Sequence, residues 1–297
     1  MKILLLGRNG QLGWELQRAL APLGELVALD SRGPGLAADL GHPDSLARTV
    51  RALRPDVIVN AAAHTAVDRA EAEPDLARTI NATAVGVLGR EAAAIGATLV
   101  HYSTDYVFDG SGSEPRAEDA VTGPLNVYGR TKLEGEQLIR DSGCCHLILR
   151  TSWVYAARGE NFARTMLRLA AERDRLTVID DQVGAPTGAD LLADITAHAL
   201  RALGAQPALA GTYHAVAGGQ TDWFGYARFV IERARAMGRP LRVAPEAIVP
   251  VPSSAFATAA RRPLNSRLAT DRLQQAFGLY LPPWQQGVER LISEILT

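Results

Sequence analysis

Short apolar runs alternate with amphipathic stretches through the first half of the chain. KILLLG precedes a helical pattern that starts at Gln11, ELVALD precedes one from about Asp44, DVIVNAAA precedes helical sequence reaching Ala93, and TLVHYS follows. Strands separated by helices in this way predict an α/β fold built on a parallel, doubly wound sheet of Rossmann type. A helix is expected from Val127 to about Arg140, and HLILRTSWVY reads as a further strand. The second half is less regular, with helical patterns near 161–173, 187–203, 222–237 and 283–296. Segment 104–126 is rich in Asp, Gly, Ser and Pro and too long for a simple strand-to-helix turn, so it is expected to shape or cover a site.

Composition narrows the classes of function. The 297 residues are 47% hydrophobic, enough for a sizeable core, and 31 basic residues against 32 acidic ones leave no basic excess for nucleic acid or an anionic membrane. The apolar run at Ile3–Leu6 is too short for an export signal, and no stretch approaches the length of a membrane span. The two cysteines, Cys144 and Cys145, are adjacent, which disfavours a mutual disulfide and points to a reducing compartment, with cytoplasm expected. Only Lys2 and Lys132 are lysine; the other 29 basic residues are arginine.

Two local patterns carry chemistry. The first strand runs into Gly7-Arg8-Asn9-Gly10-Gln11-Leu12-Gly13 and then a helix, a GxxGxxG turn in which glycines permit close approach of a pyrophosphate and the helix N-terminus offers amide donors. Gly7, Asn9, Gly10, Gln11, Leu12 and Gly13 are therefore cofactor-binding candidates. Asp30 ends the next strand, where a carboxylate accepts from ribose hydroxyls and favours NADH; Arg32, two residues on, could pair with a 2′-phosphate and leaves NADPH open. Asp39, Leu40 and the run Ala61, Ala62, Ala63, His64 and Thr65 follow later elements on the same edge, with Tyr102 a further cofactor candidate.

The second pattern is Tyr128-Gly129-Arg130-Thr131-Lys132. On a helix it places phenol and ammonium on one face. Two charges about 5 Å apart at an effective dielectric of about 20 interact by roughly 3 kcal/mol, about two pKa units, so Lys132 is expected to bring the Tyr128 phenol toward neutrality. Ser103-Thr104-Asp105 arrives at the C-terminal end of a strand, where Thr104 can hydrogen-bond a carbonyl beside Tyr128. Tyr128, Lys132 and Thr104 are the catalytic candidates.

With these, the ordered set NAAAHTAVD, HYSTDYVFDG, PLNVYGRTKLEGE, RTSWVY, DQVGAPTGADLLAD and ARRPLNSRL resembles the extended short-chain dehydrogenase/reductases, in particular those that reduce nucleotide-linked 4-keto-6-deoxysugars. The resemblance runs the length of the chain. It implies NADPH- or NADH-dependent reduction of the 4-keto group of dTDP-6-deoxy-L-lyxo-4-hexulose, with Tyr128 giving the proton and Lys132 binding the nicotinamide ribose. It also implies substrate contacts from Val67, Thr104, Asp105, Tyr128 and Trp153. Residues 1–151 plus about 175–216 are then expected to hold the dinucleotide, and about 152–174 plus 217–297 to form a smaller, mostly C-terminal α/β domain for the nucleotide sugar.

The family pattern further includes Mg²⁺ at a homodimer interface; Glu15 and Asp190 are the metal candidates here, Ala189 standing where a second glutamate is expected. Arg261 and Arg262 are candidates for the diphosphate, a surface charge pair being the alternative. Asp105 is followed by Tyr106 and not by the glutamate of the related sugar-nucleotide dehydratases. A non-catalytic relative, the regulatory beta subunit of methionine adenosyltransferase, is disfavoured by the intact Thr104, Tyr128, Lys132 and Trp153.

Overall fold

The computed structural model describes residues 1–31, 36 and 38–296. The first half comprises β1 (Lys2–Leu6), α1 (Gln11–Leu20), β2 (Glu25–Leu29), α2 (Pro43–Leu53), β3 (Val57–Asn60), α3 (Val67–Ala72), α4 (Pro74–Arg78), α5 (Ala84–Ile95), β4 (Thr98–Thr104), α6 (Val127–Asp141) and β5 (His146–Thr151). It continues through β6 (Val154–Tyr155), α7 (Phe162–Glu172), β7 (Leu176–Ile179), β8 (Val183–Gly184), β9 (Thr187–Gly188), α8 (Ala189–Ala205) and β10 (Gly211–His214). The last elements are β11 (Thr221–Asp222), α9 (Trp223–Ala236), β12 (Ile248–Val251), α10 (Asp271–Phe277) and α11 (Trp284–Leu296).

Six strands pair in parallel in the order β10-β5-β4-β3-β1-β2. The continuous apolar reading of the interior strands β1 and β3 follows from burial on both faces. Along β1, Ile3 and Leu5 pack with Leu16 and Leu20 of α1 and Leu192 and Ile195 of α8, while Leu4 and Leu6 meet Leu46 and Val50 of α2 and Val85 and Leu88 of α5. Winding reverses beside β1, since β2 lies on one side and β3 on the other. The crevice outside the carboxyl ends of β1 and β3 is thus where such a sheet binds ligands.

Beyond the sheet, α7, α9 and α11 bury a separate apolar cluster that includes Tyr226, Trp284, Leu167 and Val288. The expected strand through HLILRTSWVY is broken: β5 ends at Thr151, and Trp153 adopts a left-handed φ of 48° before β6. That conformation is unfavourable for a bulky side chain. It is accompanied by stacking of the Trp153 ring on Trp223, with centroids 3.7 Å apart and 13° between planes.

The long segment before α6 is stitched to residues 261–269. The Asn265 amide donates to Gly110 O at 3.0 Å, Arg116 N to Arg267 O at 3.0 Å, and Ala269 N to Arg116 O at 2.8 Å. Asn126 joins the two functions of this seam. Its Oδ1 caps α6 by accepting from Gly129 N at 2.8 Å, and its Nδ2 donates to Arg261 O at 2.8 Å.

Candidate active site

A cavity of about 910 Å³ opens along the carboxyl edge of the sheet, at the winding reversal. Gly7, Asn9, Gly10, Gln11, Leu12, Asp30, Asp39, Leu40, Ala61, Ala62, Ala63 and Thr65 line it toward β1 and β2. Tyr102, Thr104, Asp105, Tyr128, Lys132, Val67 and Trp153 line the remainder. The glycine turn is built as its spacing predicts. Gly7 has φ 87°, and a Cβ on Gly13 would fall 2.0 Å from Gly7 O, so α1 rests directly on the turn. Gly10 at the N-cap provides no capping side chain, leaving the first amides of α1 to meet an anion. These features fit a dinucleotide pyrophosphate.

Several expected residues lie elsewhere. Gly13 serves helix packing and is not part of the cavity wall. His64 is also outside the lining; its backbone N–H and carbonyl are tied to the Asn81 side chain at 2.9 and 3.1 Å. Arg32 falls outside the described residues. Asp30 accepts from Arg8 Nε at 3.0 Å and Asn9 Nδ2 at 2.7 Å, which sets Arg8, a residue the spacing did not single out and itself outside the cavity lining, beside that carboxylate. Arg262 does not reach into the cavity: its guanidinium is held by Asp68 at 2.6 Å, and the exposed Arg261 also lies outside the lining.

The catalytic candidates converge. Gly129 lets the first turn of α6 sit against the loop after β4, because a Cβ there would lie 2.2 Å from Tyr106 O. This contact sets Tyr128 beside Thr104, whose hydroxyl hydrogen-bonds the phenol. Tyr106 supports the Tyr128 ring edge-on, with centroids 5.7 Å apart. Gly129→Ala is expected to displace this turn, lowering kcat about 10²-fold and stability by about 1–3 kcal/mol. Steady-state kinetics and urea unfolding check this, and an unchanged kcat would reject the seating role.

The electrostatics depart from the expected scheme. Burial pushes the Tyr128 phenol up to about 12, with the Thr104 hydrogen bond opposing and the Asp105 charge reinforcing that rise. Lys132 does not pair with the phenol. Its Nζ lies 2.6 Å from Tyr102 O and 3.0 Å from His101 Nε2, and burial lowers it to about 8 against the favourable charge of Glu136. The i,i+4 spacing correctly put both residues at one cavity, but the ammonium is directed into the protein.

Asp105 is pushed up to about 7 by burial, opposed by the hydroxyls of Ser266 and Thr104. Trp223, Thr151, Ser152 and Glu160 also line the cavity and were not singled out by sequence; only the aromatic run around Trp223 carried any signal.

The metal candidates do come together, around a smaller pocket of about 220 Å³ lined by Glu15, Asp190, Glu294, Arg18 and Arg290. Arg290 lies 3.2 Å from Asp190, and Arg18 lies 3.5 Å from Glu15. With arginines already meeting these carboxylates, the donor set does not fit a divalent cation. Among the described residues, no helix is long and apolar enough to cross a membrane.

A parallel doubly wound sheet, a glycine turn at its winding reversal, and tyrosine and lysine four apart on a helix beside a strand-end threonine define a short-chain dehydrogenase/reductase. Its sequence matches the RmlD substrate binding domain over residues 1–297, and the chain belongs to that family. It is 56% identical to a dTDP-4-dehydrorhamnose reductase of Escherichia coli K12, covering 100% of this chain and 99% of that protein. A dTDP-4-dehydrorhamnose reductase structure from Clostridium acetobutylicum superposes with a TM-score of 0.90 at 34% identity, covering 100% of both chains. One from Bacillus anthracis, in complex with NADP, gives 0.88 at 35% identity over 99% of each chain.

Proposed function

We propose that this protein reduces the 4-keto group of dTDP-6-deoxy-L-lyxo-4-hexulose with NAD(P)H, yielding dTDP-L-rhamnose. The observation that carries the reading is one continuous cavity joining the glycine turn to Thr104 and Tyr128. A nicotinamide bound in this cavity would supply the hydride for the keto carbon. Tyr128 supplies the proton to the keto oxygen, and Thr104 orients that oxygen through its hydroxyl. A high phenol pKa suits this direction, because the acid keeps its proton through the neutral range until a more basic alkoxide develops beside it.

Amides of the first α1 turn would hold the cofactor's pyrophosphate; Lys132 lines the cavity, but its Nζ is bonded to Tyr102 O and His101 and would have to turn from them to meet the ribose hydroxyls. Asp105, the Trp153 face and Val67 receive the deoxysugar. Residues 152–174 and 217–297 supply the nucleotide-sugar side. The test is direct: purified protein with the 3,5-epimerised keto sugar nucleotide consumes NADPH absorbance, and no turnover with that substrate rejects the reading.

Cofactor choice rests on Arg8. Its Nε offsets the Asp30 carboxylate and its Nη1 reaches Ala28 O at 3.4 Å, leaving Nη2 to suit a 2′-phosphate. NADPH is therefore accepted along with NADH. Arg8→Ala is expected to raise KM for NADPH about tenfold, about 1.4 kcal/mol, with little change for NADH. Equal shifts for both cofactors would remove Arg8 from this role.

A further inference from the structure

The run from Asp181 to Thr187 takes no part in the chemistry proposed above, yet it is packed around Trp153. The Thr187 amide donates to Trp153 O at 3.2 Å, and Ser152 Oγ, one residue earlier, donates to Ala185 O at 3.3 Å. Gly184 leaves room for the indole, since a Cβ there would stand 2.9 Å from Trp153 Cε2. The left-handed backbone of Trp153 is thus held by its surroundings, as a strained conformation must be to persist.

The ring is stacked by Trp223, the first residue of α9, and strand pairing brings the two together. β11 runs antiparallel to β8, with Thr221 opposite Gly184 and Asp222 opposite Val183. Trp223 is fixed in turn. Asp222 caps α9 by accepting from Gly225 N at 2.6 Å, and the Phe162 ring lies 4.6 Å from the indole. The indole N–H, the one hydrogen-bonding group of the side chain, donates to the Oε1 of buried Gln182 at 3.2 Å. Because that N–H only donates, the Gln182 amide directs its Nε2 the other way, to Ser253 Oγ at 2.8 Å, and Ser253 Oγ donates to Asp181. Each group donates to the next and the chain ends on a carboxylate, which favours a single rotation of the Trp223 ring. Asp181 and Gln182 belong to the same run that seats Trp153.

We infer that Trp223 is a positioning residue for the sugar nucleotide: with Gly184 and Gln182 it holds the Trp153 indole in the plane that meets the deoxysugar. The inference rests on the reductase reading. Trp223 acts through Trp153, because one face of its ring is given to Trp153, 3.7 Å away, and its polar atom to Gln182. A sugar meets an indole through many weak contacts that depend on the plane of the ring. A tilt of Trp153 is therefore felt in sugar binding, while the glycine turn and Tyr128 stay as they are.

The test uses full-length protein carrying ¹⁵N-tryptophan, which gives four indole signals, from Trp14, Trp153, Trp223 and Trp284. Without ligand, Trp223→Leu and Gly184→Ala are each expected to move the Trp153 signal, the first by removing the ring stacked on it and the second by pushing the indole aside. In turnover, each is expected to raise KM for the keto sugar nucleotide about tenfold, with kcat lowered no more than about threefold and KM for NADPH unchanged. Trp223→Phe keeps a stacked ring and is expected to give a smaller rise, about threefold. In a Trp153→Leu background none of the three is expected to raise KM further, since the residue they act through is gone.

The two routes to Trp153 are independent, so either variant suffices if the other does not fold. A Trp153 signal unmoved by both, or KM rising equally for NADPH and the sugar nucleotide, overturns the inference. So do losses that add to that of Trp153→Leu, which would give Trp223 a sugar contact of its own. Absence of turnover in wild type would instead remove the reductase reading, whereas failure of this one shows in the indole spectra of protein without ligand and in the double variants of an active enzyme.

Discussion

Tyr128→Phe is expected to lower kcat by about 10² to 10⁴-fold, the range of a lost general acid, while cofactor affinity stays within a few-fold. The substitution removes one oxygen and keeps the ring, which remains supported edge-on by Tyr106. The glycine turn proposed to meet the pyrophosphate lies at the other side of the cavity and is untouched. Parallel measurement of NADPH binding and single-turnover reduction separates the two, and a kcat within threefold of wild type would reject Tyr128 as proton donor. Because burial pushes the phenol up to about 12, the donor form persists across the neutral range, and loss of reduction from its ionisation is confined to strongly alkaline solution. A limb at lower pH must therefore come from another group, of which Asp105 at about 7 and Lys132 at about 8 are the cavity residues in range.

Arg150→Leu is expected to cost about 3–5 kcal/mol of folding stability, the typical consequence of breaking a buried ion pair. Arg150 Nε and Nη2 donate to the two oxygens of Glu136 at 2.9 and 2.7 Å, and the side chains are 4% and 0% exposed. Removing the fork strands a buried carboxylate, with Arg140 at 3.2 Å the remaining cation to meet it among the described residues. Combining it with Glu136→Leu is expected to recover much of the loss, since the isolated charge goes with its partner. Urea unfolding of the two single variants and the double variant measures this, and a single-variant cost under about 1 kcal/mol would show the pair to be dispensable.

The same pair gives acid sensitivity. Burial raises the Glu136 carboxyl, but Arg150 and Arg140, with Ser103, outweigh it and hold it below its usual value. Its contribution is thus present above the unfolded-state pKa and is lost as pH falls through the depressed folded value.

The glycine turn, the strand-end threonine and the Tyr128–Lys132 face were legible because each depends on residues near in sequence, where helix and strand periods dictate geometry. Periodicity reports that a side chain is buried, not what it touches. Lys132 was correctly drawn into the cavity, yet its bond to His101, 31 residues earlier, required the register of β4 against α6. The Trp153 turn was hidden inside an apolar run that continues across it, and the Trp223 ring stacked on it comes from a helix 70 residues later. Arg8 lay within the glycine motif itself, but its bond to Asp30 depends on how β2 returns beside β1. Glu15 and Asp190 came to one pocket, but the arginines beside them, Arg18 one turn along the same helix and Arg290 from α11, were not weighed against a metal.

The Asn126 cap has a consequence for the order of events during synthesis. The carbonyl that receives its Nδ2 belongs to Arg261, 135 residues downstream. At about 5–20 residues per second, the growing chain carries Thr104, Tyr128 and Lys132 outside the ribosome for on the order of ten seconds before that anchor is made. A nascent chain is therefore complete in these reactive side chains long before the Asn126–Arg261 anchor at the start of α6 can form.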